Sequence, residues 1–197
     1  MLFRSYKEVD QLGGNDPYSV SKVGAEIITD CYIKSFFKNS NLKNRISVVR
    51  AGNVIGGGDW SKNRLIPDLV RNVYKKKITY IRRPKSIRPW QYVLKVLEGY
   101  LILAKKNYLS NSVQFDEPFN FGPRISECKS VYSVVKEFNN NWKTRVIYKS
   151  NIKKFKETDY LFLNSKKAKS KLNWLSSYSL KQTIKKTCVW YKNFYLK

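Results

Sequence analysis

Two polar side chains in this chain have the types and spacing to do chemistry together: Tyr18 and Lys22, within Pro17-Tyr18-Ser19-Val20-Ser21-Lys22. On an α-helix, residues four apart lie one above the other. A lysine ammonium beside a tyrosine favours the phenolate over the phenol. A phenolate so placed can take the proton of an alcohol as hydride leaves the adjoining carbon. Spacing alone is a weak signal, because Tyr and Lys fall four apart by chance in any Lys-rich helix. Three further polar residues sit beside glycine-rich or proline-marked turns: Asn53, inside the run Arg50-Ala51-Gly52-Asn53-Val54-Ile55-Gly56-Gly57-Gly58-Asp59-Trp60, then Arg64, and Arg88 before Pro89. The guanidinium fork can pair two phosphate oxygens at once. Taken singly, Asn53 reads as a turn residue and Arg88 as a surface arginine.

The elements that must hold these residues can be read from hydrophobic spacing. Residues 1–16 form a polar loop with turn chemistry at Gly13-Gly14-Asn15-Asp16-Pro17. A helix from Tyr18 is predicted, with Val20, Val23, Ile27 and Cys31 on one face. Ile46 to Val49 is an apolar, β-branched run, read as a buried strand leading into the glycine-rich loop. Pro67 to Lys75 reads as a helix and Ile78 to Ile81 as a strand. Val93, Val96, Leu97, Tyr100, Leu101 and Ala104 make one stripe of an amphipathic helix. Phe119 to Phe121 reads as a strand, and Val131, Val134, Val135 and Phe138 as a helix face. Val146 to Tyr148 and Tyr160 to Leu163 are short strand candidates. The last helix starts at Ser179, a good N-cap, and buries Leu180, Thr183, Ile184, Thr187, Cys188 and Tyr191. Helices alternating with short strands define an α/β fold.

The bulk properties narrow the function classes. A chain of 197 residues that is 42% hydrophobic can build a core. It has no apolar run of membrane-spanning length and no secretory signal pattern. Three cysteines far apart, with no histidine, give neither a disulfide framework nor a metal site, and fit a reducing, cytoplasmic compartment. The net charge of +25 raises the question of a polyanionic partner. Lysine greatly outnumbers arginine, and the lysine groups (75–77, 105–106, 153–156, 166–171, 185–186) are spread along the chain instead of forming one arm. That pattern favours a compositional bias over nucleic-acid recognition, which prefers arginine.

The order of the motifs carries a resemblance. Asp16-Pro17-Tyr18-Ser19-Val20-Ser21-Lys22-Val23-Gly24-Ala25-Glu26 resembles the active-site helix of extended short-chain dehydrogenase/reductases. Arg50-Ala51-Gly52-Asn53-Val54-Ile55-Gly56, Arg88-Pro89-Trp90-Gln91-Tyr92-Val93, Phe119-Asn120-Phe121-Gly122 and the Lys166 to Trp174 segment resemble later segments of the same NAD-dependent epimerase/dehydratase family, in its order. Gln11 to Ser19, the whole 50–60 run and Arg64-Leu65-Ile66-Pro67-Asp68 are most like the CDP-glucose 4,6-dehydratase branch. Asn15 and Tyr92 stand where that branch has histidine.

The resemblance implies an enzyme, a lyase that uses NAD as an internal redox cofactor on a nucleotide sugar: CDP-glucose goes to its 4-keto-6-deoxy product. It implies Tyr18 as the base at the sugar C4 hydroxyl, with Lys22 holding the nicotinamide ribose and favouring the phenolate. Asn53, Arg64 and Arg88 are then substrate-binding, and no metal is expected. The implied fold is the C-terminal part of a Rossmann-type parallel sheet interleaved with a small α/β substrate-binding portion. Residues 1–60 and 88–125 are expected to be the dinucleotide-binding remnant, and 61–87 and 126–197 the substrate-binding portion. The family's glycine fingerprint and its Thr-Ser-Asp-Lys segment are not found in residues 1–197, and Gly56-Gly57-Gly58 does not open a helix after an N-terminal strand. The expectation is therefore an incomplete NAD site and a chain inactive by itself, partnered by a second copy or by a complementing N-terminal half. Two alternatives remain at this point: another NAD-dependent sugar-nucleotide epimerase or dehydratase, and a non-catalytic basic fragment.

Overall fold

The computed structural model of the chain describes residues 5–14, 16–37, 46–110, 115–149 and 159–196. Asn15, residues 1–4 of the N-terminal loop and the 153–156 lysine group lie outside the described residues. Six α-helices and eight short strands alternate among those described. Helix α1 (Pro17–Tyr32) begins at an N-cap, Asp16, whose carboxylate accepts the Ser19 N–H, with Pro17 at the first turn. It continues as a π-helical turn over Ile33–Phe37. Strands β1 (Val49–Ala51) and β2 (Asn53–Ile55) flank Gly52. Helix α2 (Leu65–Tyr74) buries Ile66, Pro67, Leu69 and Val70 and leads to β3 (Ile78–Ile81). Strands β4 (Ile87–Arg88) and β5 (Trp90–Tyr92) precede α3 (Val93–Leu109). Then come β6 (Phe119–Phe121), β7 (Lys129–Ser130), α4 (Val131–Asn141) and β8 (Arg145–Tyr148), followed by α5 (Lys166–Leu172) and α6 (Leu180–Tyr195).

Among the described residues, three of the four ladders are parallel: β1 with β6, β2 with β5, and β3 with β8, while β4 and β7 are antiparallel. Parallel pairing requires crossover connections, and here the crossovers run through helices. The β1–β6 and β2–β5 pairs fall within 1–60 and 88–125, the β3–β8 pair within 61–87 and 126–197, and β4–β7 joins the two ranges. Two apolar clusters form. One gathers α2, β3, α4 and α6 around Leu69, Val135, Phe138 and Ile184; the other gathers α3, β6 and α5 around Phe119, Phe121 and Trp174.

Helices α4 and α6 bury the faces that their spacing indicates. All six expected residues of α6 are buried, and Ser179 forms a reciprocal capping box with Gln182. Other expectations need correction. The buried stripe of α3 is Val96, Gly99, Leu103 and Asn107, whereas Leu97 and Leu101 are 44% and 71% exposed. Gly99 decides the rotation: a Cβ there would collide with the Phe121 ring, so α3 turns its one side-chain-free position towards that ring and Trp174. The first strand starts at Val49 and is only half-buried, since β6 is its one ladder partner among the described residues. Tyr160 to Leu163 is no strand. It makes isolated bridges, Tyr160 with Ile87 and Leu163 with Tyr6. Helix α1 buries no side chain; Val20 and Ile27, expected on its packed face, are 54% and 59% exposed.

Candidate active site

The pairing of β2 with β5 sets Asn53 opposite Trp90, and Arg88 lies two residues before that tryptophan. Distant sequence segments are thereby brought to one cleft of about 800 Å³, lined by Tyr18, Asn53, Arg64 and Arg88 among others. Lys22 is outside the lining. Its Nζ lies 5.5 Å from the centre of the Tyr18 ring, so the two side chains share one face of α1. Tyr18 itself is 68% exposed.

The positive charge of the cleft comes from Arg64, Arg82, Arg83, Arg88 and Lys149, set against Asp59 and Asp68. Asp68 pairs with Arg71, and Asp59 pairs with Arg64 at 3.2 Å. Burial works to raise the Asp59 carboxyl, but hydrogen bonds from Ser61 and the charge of Arg64 outweigh it, and the carboxyl is held below its ordinary range. Asp59 therefore stays ionised and orients Arg64 at the N-terminal end of α2. Arg88 Nη1 donates to the carbonyls of Ile87 (2.9 Å) and Asp159 (3.2 Å), which fix the direction of its guanidinium.

Arg82, Arg83 and Lys149 are cleft residues that sequence reasoning missed. A signal existed: basic residues immediately after expected strands. In parallel sheets the residues following the strands' C-terminal ends line the binding crevice. Here β3 and β8 end side by side, with the Lys149 N–H bonded to the Ile81 carbonyl.

The glycine loop after β2 does not resemble a phosphate cradle. A Cβ on Gly57 would fall inside the Trp190 ring, and Gly58 has φ 79°, a conformation that favours glycine. The loop is closed against α6, where the Tyr191 hydroxyl donates to the Asp59 carbonyl at 2.6 Å and accepts the Asp59 N–H at 3.1 Å. Its glycines serve packing. Among the described residues no cluster of side chains could hold a metal ion, and no helix is long and apolar enough to cross a membrane.

Parallel strands with crossover helices, and a Tyr–Lys helix at the edge of an arginine-lined cleft, make a Rossmann-type α/β architecture. A family model described as GDP-mannose 4,6 dehydratase matches residues 4–187, and the chain belongs to that family. It is 39% identical over 191 residues to a CDP-glucose 4,6-dehydratase of Salmonella typhimurium, covering 95% of this chain and 53% of that protein. It is 24% identical to a dTDP-D-glucose 4,6-dehydratase of Dictyostelium discoideum, covering 96% and 48%. The chain thus spans about half the length of the curated relatives it matches. Among solved structures it resembles a dTDP-glucose 4,6-dehydratase from Bacillus anthracis in complex with NAD (TM-score 0.77, 22% identity, 97% of this chain and 57% of that one). It also resembles the dTDP-glucose 4,6-dehydratase DesIV from Streptomyces venezuelae with NAD bound (TM-score 0.80, 16% identity, 98% and 56%). These likenesses establish the fold.

Proposed function

We propose that residues 1–197 carry the substrate side of an NAD-dependent nucleotide-sugar 4,6-dehydratase acting on CDP-glucose. The observation that carries this reading is the meeting of Tyr18, Asn53, Arg64 and Arg88 at one cleft. The 39% identity to a CDP-glucose 4,6-dehydratase supports the choice of sugar nucleotide. Arg88 and Arg64 pair the diphosphate oxygens, and Asn53 binds the nucleotide-diphosphate portion. Tyr18 takes the proton of the C4 hydroxyl, with Lys22 on the same helix face beside it.

The residues present fit NAD at one end only. Tyr18 and Lys22 suit the nicotinamide ribose, while the described residues include no Gly-x-x-Gly-x-x-Gly turn between a strand and a helix for the pyrophosphate. When bound, NAD supplies the acceptor and then the donor of the hydride in an internal redox cycle. The chain's own part is to bind and orient the sugar nucleotide and to hold the C4 proton on Tyr18. The pyrophosphate end of NAD then falls to a complementing N-terminal half or to a second copy.

The test is calorimetric titration of the chain with CDP-glucose, CDP, UDP-glucose and dTDP-glucose. Saturable binding with a preference for the cytidine compounds is expected, and Arg88→Ala should weaken it. Absence of binding by any sugar nucleotide would overturn the reading. A preference for another nucleotide would move the chain to a different branch of the same family.

A further inference from the structure

Helix α1 presents the proposed base, yet it buries no side chain among the described residues, and Ile28, with Phe36 in the π-helical turn that continues it, is more than 60% exposed. Packing therefore does little to set its rotation. One contact does. Arg50 grips Glu26 in a bidentate pair: Nε lies 2.9 and 3.0 Å from the two carboxylate oxygens, and Nη2 lies 2.6 Å from Oε2. Both side chains are about four-fifths buried, at 18% and 20% exposure. The remaining fork nitrogen, Nη1, donates to the Glu8 carbonyl at 3.2 Å. Glu8 is itself held, because its carboxylate accepts the Asn120 N–H of β6 at 2.9 Å. The Asn120 side-chain amide donates to the Tyr6 carbonyl at 3.1 Å. The chain from α1 to the β1–β6 ladder is continuous in hydrogen bonds.

We infer that Glu26 and Arg50 are positioning residues for the Tyr18–Lys22 pair, fixing it against the nucleotide cleft. The inference rests on the proposed role of Tyr18. Glu26 lies eight residues after Tyr18, which on an α-helix is ~12 Å along the axis and ~80° around it. Fixing its carboxylate in two dimensions fixes the rotation of the helix, and with it the direction of Tyr18. Arg50 belongs to β1, and three residues on, beyond Gly52, Asn53 lines the cleft together with Tyr18. The ion pair thus ties the helix that bears the proton acceptor to the strand that leads to the cleft floor. A fork that bonds a carboxylate through two nitrogens and a carbonyl through a third specifies orientation, which a lysine point charge cannot do.

The experiment uses the whole 197-residue chain as wild type, Glu26→Gln, Arg50→Lys and the exchanged pair Glu26→Arg/Arg50→Glu. Three readouts are taken: amide hydrogen exchange resolved by segment, the fluorine resonance of 3-fluorotyrosine placed at position 18, and affinity for CDP-glucose. In each single variant the amides of 17–32 should exchange about tenfold faster, the scale expected when a charge-assisted bidentate pair is lost. The fluorine resonance should shift or broaden. Protection in α6, which packs in the other apolar cluster, should stay unchanged, and CDP-glucose affinity should change by less than about twofold, because Tyr18 is assigned to proton transfer and the binding residues Asn53, Arg64 and Arg88 are left intact. The exchanged pair should restore part of the α1 protection. Unchanged α1 exchange and fluorine signal in both single variants would overturn the inference. So would α1 and α6 loosening together, the mark of a merely structural pair. If wild type binds no CDP-glucose, the functional reading fails, while exchange and fluorine still decide the role of the ion pair.

Discussion

At the scale of single residues, Tyr18 can act as a base only if its removal strikes chemistry and spares binding. When the chain is supplied with a glycine-bearing half and turns over, Tyr18→Phe should lower kcat by ~10²–10⁴, the usual worth of a positioned acid or base. The Kd for CDP-glucose should be nearly unchanged; a parallel loss of both would place Tyr18 in binding. The cysteines give a second prediction. Burial pushes the Cys188 thiol up to about 12 and the Cys128 thiol up to about 11, whereas Cys31 is exposed on α1. The thiolate is the reactive form. A thiol reagent at pH 8 should therefore label Cys31 quickly and the other two only on unfolding, counted by mass spectrometry. Burial also pushes the Tyr191 hydroxyl up to about 12. Cys188 and Tyr191 are neutral when protonated, and their folded-state values lie above the unfolded ones. The stability they contribute is complete below pH 9.0 and 10.0 respectively, and is lost as pH rises towards about 12. Denaturation midpoints measured from pH 8 to 12 should fall across that window, and Cys188→Ala should flatten the early part of the fall.

At the scale of elements, the loop after β2 and the C-terminal half of α6 act as one unit, because the Gly57 backbone lies against Trp190 and Tyr191 bonds both the N–H and the carbonyl of Asp59. Gly57→Ala puts a methyl into the Trp190 ring and should cost ~1–3 kcal/mol, the range of overpacked sites. Ser179→Ala removes the capping box of α6 and should cost ~1 kcal/mol. For a chain of this size these correspond to Tm drops of ~2–4 °C per kcal/mol, readable by calorimetry. Helix α1 should behave otherwise. Ile28→Ser, at a position 61% exposed, should change stability by no more than ~0.5 kcal/mol. A larger loss would mean that α1 packs more closely than its exposure indicates.

At the scale of the whole molecule, two properties make one expectation. The NAD site proposed for the described residues has a Tyr–Lys pair and no Gly-x-x-Gly-x-x-Gly turn, and the exposed apolar residues of α1, the π-helical turn after it and α3 (Ile27, Ile28, Phe36, Leu97, Leu101) form surface that water does not favour. The polypeptide of residues 1–197 should show no saturable NAD binding at micromolar concentrations and should self-associate. Ile28→Ser combined with Leu101→Ser should reduce that association in sedimentation runs. Tight NAD binding or turnover by this polypeptide would show that self-assembly supplies the pyrophosphate site. The charge of +25 should matter less than its size suggests. It is dispersed lysine, and any binding of nucleic acid should vanish between 50 and 200 mM salt (roughly the range over which multiple phosphate contacts are lost).

The sequence alone determined what depends on near neighbours. The 3.6-residue spacing on α4 and α6, with Ser179 as cap, fixed both helices and their buried faces, because a single apolar stripe leaves one way to pack. The motif order from Tyr18 to Trp174 gave the family and the candidate residues Tyr18, Lys22, Asn53, Arg64 and Arg88. Tertiary structure decided what depends on distant partners. Helix α3 is apolar on two sides, so its own pattern could not choose between them; the Phe121 ring against Gly99 chose. The meeting of Arg82, Arg83 and Lys149 with Arg88 required the β3–β8 ladder, which joins segments whose separation no local pattern encodes. The grip of Arg50 on Glu26 is of the same kind. Each residue is legible within its own motif, but only the fold brings a guanidinium on β1 to a carboxylate on α1.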